Sequence, residues 1–271
     1  MDLGLQDAHV VVTGGTAGMG RATAQCYAQN GARVAVLARD PRALDETVAV
    51  LQAAGSPDAV GISTDLSRQE SVEEAFTQLD SRWGLLNVLV NTVGPAAPIV
   101  GEFEELADST WTLAFDLMAM GAVRTCRAAL PLLRKAEWAR IVNVSAHSVQ
   151  RQSPRLIAYT AGKAALTSLT KNLSQTLAKD NILVNTVSPG SFMTAQVRDY
   201  VADEMTARGL NPDDPVDVAA VLQEMFGDAL GQLGRAGLPE EIAPMITVLG
   251  SRHNTYTTGA DLNVDGGSDF R

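Results

Sequence analysis

Apolar and polar positions follow two alternating periods along most of the chain. Short runs rich in β-branched residues read as strands: Val10 to Thr13, Val34 to Leu37, Val60 to Ser63, Val88 to Asn91, Arg140 to Ser145, Leu183 to Ser188 and Asp261 to Val264. Between them, a 3.6-residue apolar period predicts helices at Gly20 to Gln29, Arg42 to Ala53, about Asp108 to Leu133, Leu156 to Lys179 and Glu240 to Leu249. Gly31 is placed to cap the first helix, and Gly55 with Pro57 stops the second. After the third strand, Ser67 and Glu70 have the spacing of a capping box and predict another helix start.

Strand alternating with helix implies right-handed crossovers and one parallel sheet. The predicted fold is α/β, a single Rossmann-type doubly wound parallel β-sheet flanked by helices, formed by residues 1–271 as one domain. Residues 195–235 break the rhythm, being polar and interrupted by Gly209, Pro212 and Pro215. An insertion at that point of such a sheet lies over the carboxyl ends of the strands, as a substrate lid.

Composition narrows the partners. At 271 residues and 46% hydrophobic content the chain is long enough for one large core. Lys and Arg number 21 against 31 Asp and Glu, which argues against a nucleic-acid surface but leaves room for one local phosphate pocket. Cys26 and Cys126 lie far apart in amphipathic segments and read as buried free thiols. His9, His147 and His253 have no metal-ligand spacing, so no metal is expected. The start MDLGLQD has no basic leader, and no window approaches the roughly 20 apolar residues of a membrane span, so a soluble, cytoplasmic chain without a membrane partner is expected.

Candidate chemistry begins at Thr13-Gly14-Gly15-Thr16-Ala17-Gly18-Met19-Gly20, between the first strand and first helix. Glycines at 14, 18 and 20 permit a tight turn, close approach of backbone to a pyrophosphate, and close helix packing. The second strand ends Val36-Leu37-Ala38-Arg39, where a carboxylate would select the 2′-hydroxyl of NAD(H). The guanidinium of Arg39 favours NADP(H) instead; Asp40 next to it is either a competing carboxylate at the ribose or the start of the second helix. Tyr159 and Lys163, four apart, share one helix face. An adjacent ammonium stabilises phenolate, so Lys163 is expected to hold the Tyr159 pKa down while Tyr159 protonates a ketone oxygen as hydride arrives.

These motifs resemble, in order and over nearly the whole chain, the classical short-chain dehydrogenase/reductase family. The resemblance extends through Asp65-Leu66, Asn91-Thr92-Val93-Gly94, Tyr159-Thr160-Ala161-Gly162-Lys163, Asn185, Ser188-Pro189-Gly190, Thr194, the segment from Gly234 to Glu241, and Asp265-Gly266-Gly267. It implies that Thr16 and Met19 of the turn, Asp65, Leu66, Asn91 and Gly94 contact the cofactor's adenosine side. Tyr159, Lys163, Pro189, Gly190 and Thr194 would lie near its nicotinamide side. A homotetramer or homodimer through helices four and five is also implied, with Leu113, Phe115, Leu117 and Met120 available for that face.

Two members of the family's site are absent. The serine thirteen residues before the tyrosine is Ala146, and the asparagine of helix four is Met118. Neither can do the same hydrogen-bonding work. Ser148 is the candidate substitute hydroxyl; His147 is a weaker one, and Ser145 should point away if Ala146 faces the cleft. The implied activity is an NADP-dependent ketone reductase acting between a carbonyl and a secondary alcohol. The alternative is a catalytically impaired NADP-binding protein with a sensor or scaffold role. Pro95, Ala96, Pro98, Ile99, Phe192 and Met193 near the expected cleft suggest a partly apolar substrate.

Overall fold

A computed structural model describes residues 2–94, 99–226 and 231–268. Its strands are β1 (His9–Thr13), β2 (Arg33–Ala38), β3 (Ala59–Ser63), β4 (Val88–Asn91), β5 (Ala139–Val144), β6 (Ile182–Pro189) and β7 (Asp261–Val264). Its helices are α1 (Gly18–Gln29), α2 (Pro41–Ala53), α3 (Gln69–Trp83), α4 (Asp108–Phe115), α5 (Gly121–Leu133), α6 (Ile157–Thr176), α7 (Ala195–Arg208), α8 (Pro215–Phe226) and α9 (Pro239–Leu249). The strands form one sheet in the order β3-β2-β1-β4-β5-β6-β7, parallel throughout. Among the described residues, no helix is long and apolar enough to cross a membrane.

Successive strand residues face opposite sides, and here both sides are apolar. Val10, Val12, Val34 and Val36 pack with Ala24 and Tyr27 of α1 and with Ile242 and Ile246 of α9. Val11, Ala35 and Leu37 pack on the other face with Val72 and Phe76 of α3 and with Cys126 and Leu132 of α5. The sheet is therefore doubly wound, as the strand pattern predicts.

Helix ends follow local chemistry. Gly31, just past α1, has φ +75°, a conformation open to glycine. Asp40 starts α2, its carboxylate accepting from the Arg42 amide at 2.9 Å with Pro41 as the first helical residue. The capping box at Ser67 does not form. Ser67 gives both its hydroxyl and its amide to Asp65 Oδ1, at 2.7 and 2.9 Å, and α3 starts at Gln69 without a side-chain cap. The charged acceptor two residues upstream binds the serine more strongly than a backbone group would.

The long helix expected from Asp108 to Leu133 is interrupted by a π turn at Asp116–Met120, where the Gly121 amide reaches the Asp116 carbonyl. Such turns recur at functional sites. Met118 lies buried in this turn and faces α6 at Gly162, where a Cβ would stand 3.0 Å from the Ala114 carbonyl and 3.2 Å from Met118 Sδ. Gly162 thus permits the close crossing that sets Tyr159 and Lys163 in place.

Residues 195–235 carry α7 and α8, with a small core of their own formed by Val201, Met205, Val218, Val221 and Leu222. Residues 227–230 of that range lie outside the described residues, as do Pro95, Ala96 and Pro98.

A buried polar chain ties the central strands to their helices. Thr125 donates to Asn91 Oδ1 at 2.8 Å, Asn91 to Asn143 Oδ1 at 2.8 Å, and Asn143 to Thr170 Oγ1 at 2.9 Å. Removing one partner from such a chain strands the next. Asn143→Ala is expected to destabilise the fold by about 1–3 kcal/mol. Urea unfolding should show a lower midpoint with an unchanged slope; an unshifted midpoint would refute the role given to this chain.

Candidate active site

The phosphate turn is built where the ends of β1 and β2 meet. The Gly14 amide donates to the Leu37 carbonyl at 2.8 Å, with Gly14 at φ +66° and Gly18 at φ +49°. A Cβ on Gly20 would stand 2.4 Å from the Gly14 carbonyl oxygen and 2.5 Å from Thr92 Oγ1, so only glycine fits. Thr92 donates its hydroxyl to the Thr13 carbonyl at 2.5 Å, which seals the turn against β4. Thr16 and Met19 are half-buried on the turn, and Met19 also packs on the core. The N-terminus of α1 has Ala17 as its cap residue, no capping side chain and no acidic residue in its first turn. Its leading amides have no acceptor within the helix, and with the helix dipole behind them they suit an anion.

Arg39 follows β2 directly and is exposed. The bond between Gly14 and Leu37 keeps it beside the phosphate turn. Across from it, hydrogen bonds from Ser67 hold the Asp65 carboxyl below its usual range, and the charges of Arg39 and Arg68 add to the effect. Gly94 borders open space. The Leu66 side chain is buried in the core under α3 and α5, and the Asn91 side-chain amide is bonded to Asn143 and Thr125, so each side chain faces the interior.

The far side of the crevice is closed by the turn after β6. The Pro189 carbonyl can only accept, so His147 Nδ1 carries the hydrogen in their 3.0 Å bond. A Cβ on Gly190 would lie 2.8 Å from Asp265 Cα. Thr194 caps α7 by accepting from the Val197 amide, and its methyl lies 3.1 Å from where a Cβ on Gly18 would be. The segment carrying α7 and α8 therefore begins against the glycine-rich turn. Phe192 is buried in the main core and Met193 in the core of α7 and α8, while Ile99 packs with Met118, Ala114 and Ala158 against Tyr159.

Tyr159 is half-buried near the start of α6, and Lys163 is buried one turn on. Lys163 Nζ donates to the Val144 carbonyl at 2.8 Å and to the Val93 carbonyl at 3.4 Å, and lies 6.0 Å from the centre of the Tyr159 ring. The expectation that Lys163 holds the phenol pKa down is corrected. Burial pushes Tyr159 up to about 12 and pushes Lys163 down to about 8. The ammonium is spent on two carbonyls and is itself desolvated, so loss of water dominates at both groups.

Ala146 is buried at the end of β5, and Ser145 turns away as expected, to the Lys163 carbonyl and Thr167 Oγ1. Ser148 lies buried in the 3₁₀ turn His147–Val149 and accepts from Thr160 Oγ1 at 3.0 Å. The participation of Thr160, Asn143 and the Val93 and Val144 carbonyls had no signal in residue spacing, because each depends on strands and helices far apart in sequence.

A doubly wound sheet with a glycine-rich turn after β1 and a tyrosine–lysine pair on α6 at its carboxyl edge has the architecture of a dinucleotide-dependent oxidoreductase. The family model for short chain dehydrogenase matches residues 8–205, and the chain belongs to that family. An uncharacterized oxidoreductase of Bacillus subtilis, YvrD, is 30% identical over 269 residues, covering 98% of each chain. L-sorbose reductase from Gluconobacter frateurii, solved with NADPH and L-sorbose, is similar with a TM-score of 0.90 at 28% identity, over 99% of this chain and 98% of that one. Actinorhodin polyketide ketoreductase, solved as a variant with NADPH, has a TM-score of 0.85 at 26% identity, over 97% and 98% of the two chains.

With its pKa raised to about 12, Tyr159 stays protonated in the free protein throughout the neutral range. The phenolate absorbance of wild type minus Tyr159→Phe should stay flat through neutral pH and rise only in strong alkali. A step near neutrality would overturn this electrostatic account.

Proposed function

We propose that this protein is an NADP(H)-dependent oxidoreductase interconverting a ketone and a secondary alcohol, and that it works as a reductase near neutral pH. The observation that carries this reading is the placement of the Tyr159 phenol one helical turn from the buried Lys163 ammonium, whose Nζ lies 6.0 Å from the ring centre. A binding protein has no need of a poised proton donor.

The residues present fit the cofactor. Gly20 lets the Gly14 carbonyl and the Thr92 hydroxyl pack where a Cβ would stand, which closes the turn tightly, and the uncapped start of α1 suits a pyrophosphate. Arg39, with no ion pair to a carboxylate among the described residues, suits a 2′-phosphate. The NADPH in the L-sorbose reductase and polyketide ketoreductase structures supports the same preference. When bound, NADPH supplies the hydride that adds to the carbonyl carbon.

Lys163 has three donors, two of them held by Val144 and Val93, which leaves one for a ribose hydroxyl. Tyr159 passes its phenolic proton to the carbonyl oxygen and becomes phenolate, and the nearby ammonium then stabilises that charge. Ser148 supplies a hydrogen bond to the same oxygen in place of the group Ala146 lacks. Ile99, Met118 and Trp111 around Tyr159 suit a partly apolar substrate. A homotetramer or homodimer would cover Leu113, Phe115 and Met120 of the α4 region, which are 50%, 40% and 41% exposed.

The buried, apolar Ala146 and Met118 favour a second reading, an NADP-binding protein without turnover. One experiment separates the two: NADPH oxidation across a panel of ketones. Tyr159→Phe should lower reduction about 10²- to 10⁴-fold with NADPH affinity unchanged. Tight NADPH binding with no turnover by the wild type establishes the second reading instead.

Cofactor choice has its own test. Arg39→Glu should weaken NADPH binding about 10- to 100-fold relative to NADH, the size of a lost hydrogen bond to a charged group. Equal loss for both cofactors would remove Arg39 from the 2′-phosphate site.

A further inference from the structure

Threonines inside the helices of this protein usually close their hydroxyls on the backbone one turn earlier. Thr23 donates to the Met19 carbonyl at 2.7 Å, Thr47 to Ala43 at 2.7 Å, Thr170 to Leu166 at 2.9 Å and Thr247 to Ala243 at 2.8 Å. Thr160 departs from this default. It stands in the first turn of α6, next to Tyr159, and its Oγ1 donates across to Ser148 Oγ at 3.0 Å. Both side chains are buried, so water does not compete for the bond.

The direction of this bond decides what Ser148 can do. A hydroxyl has one hydrogen to give. Thr160 spends its own on Ser148, so Ser148 Oγ is the acceptor and keeps its hydrogen, for which no acceptor is present among the described residues. The turn that carries Ser148 is itself held in place. The Val149 amide bonds to the Ala146 carbonyl at 3.1 Å, the Gln150 amide to the His147 carbonyl at 2.9 Å, and His147 to Pro189.

We propose that Thr160 is a positioning residue: by donating to Ser148 Oγ, it turns the remaining Ser148 hydrogen toward the substrate carbonyl oxygen. The pair Thr160–Ser148 then does the work that the side chain at Ala146 cannot. This inference rests on the reductase reading, with Ser148 as hydrogen-bond donor. No proton leaves Ser148; the one transferred comes from Tyr159.

The test is a double-mutant cycle in ketone reduction, with NADPH affinity measured alongside. Ser148→Ala should lower kcat about 10²-fold. Thr160→Val should lower kcat about 5- to 10-fold, with NADPH affinity unchanged and the protein still folded. Thr160→Ser should restore the wild-type rate, and Ser148→Ala combined with Thr160→Val should be no slower than Ser148→Ala alone. If Thr160→Val does not fold, Thr160→Ala is read the same way.

A Thr160→Val enzyme at the wild-type kcat, or a loss that adds in full to that of Ser148→Ala, overturns the role of Thr160. Undiminished activity in Ser148→Ala beside an inactive Tyr159→Phe overturns this inference while the reductase reading stands. A wild type that reduces no ketone sinks both.

Discussion

Strands β1 and β4 lie side by side, yet the helices that follow them must leave on opposite faces. Right-handed crossovers carry the chain outward to β2 and β3 on one side of this boundary and to β5, β6 and β7 on the other. No connection crosses the gap above β1 and β4, so a crevice opens at their carboxyl ends. The phosphate turn borders it from β1, and the Thr92–Val93 segment borders it from β4. Two hydrogen bonds between these borders, from Thr92 to Thr13, hold the gap at a set width.

Close packing then brings the chemistry to that crevice. Gly162 allows α6 to lie against α4, and the π turn at Asp116–Met120 puts Met118 into the contact. The ammonium of Lys163 is bonded by the Val144 and Val93 backbone carbonyls. Burying that ammonium costs the fold stability while it is charged. Its folded pKa of about 8 lies below the ordinary lysine value of 10.5. The cost is therefore present below about pH 8 and is relieved as pH rises from there toward 10.5. The same burial raises the Tyr159 pKa.

Much of this was legible in the chain itself. Local periods suffice for strands and helices, because β-branched runs and 3.6-residue stripes report which side of each element is buried. The turn from Thr13 to Gly20, Arg39 after β2, and the Tyr159–Lys163 spacing are likewise local, since each lies on one element or at its end. The capping box at Ser67 was misread for the same reason that local reading works elsewhere: Asp65, two residues away, is a better acceptor than the backbone.

Tertiary structure decided which polar side chains face the crevice and which face the interior. Asn91 and Leu66 sit at the right places in sequence, but contacts with Asn143, Thr125 and the α3–α5 core turn their side chains inward. Whether Lys163 lowers the Tyr159 pKa depends on distance and desolvation, which spacing along a helix does not contain. The link from Thr160 to Ser148 joins α6 to the turn after β5, and it exists only once those elements pack. Sequence alone determined the fold, the glycine-rich turn and the pairing of Tyr159 with Lys163 on one helix, because those depend on neighbours within a few residues. Proton affinity and hydroxyl direction were left to the packed structure, because burial and long-range hydrogen bonds govern both.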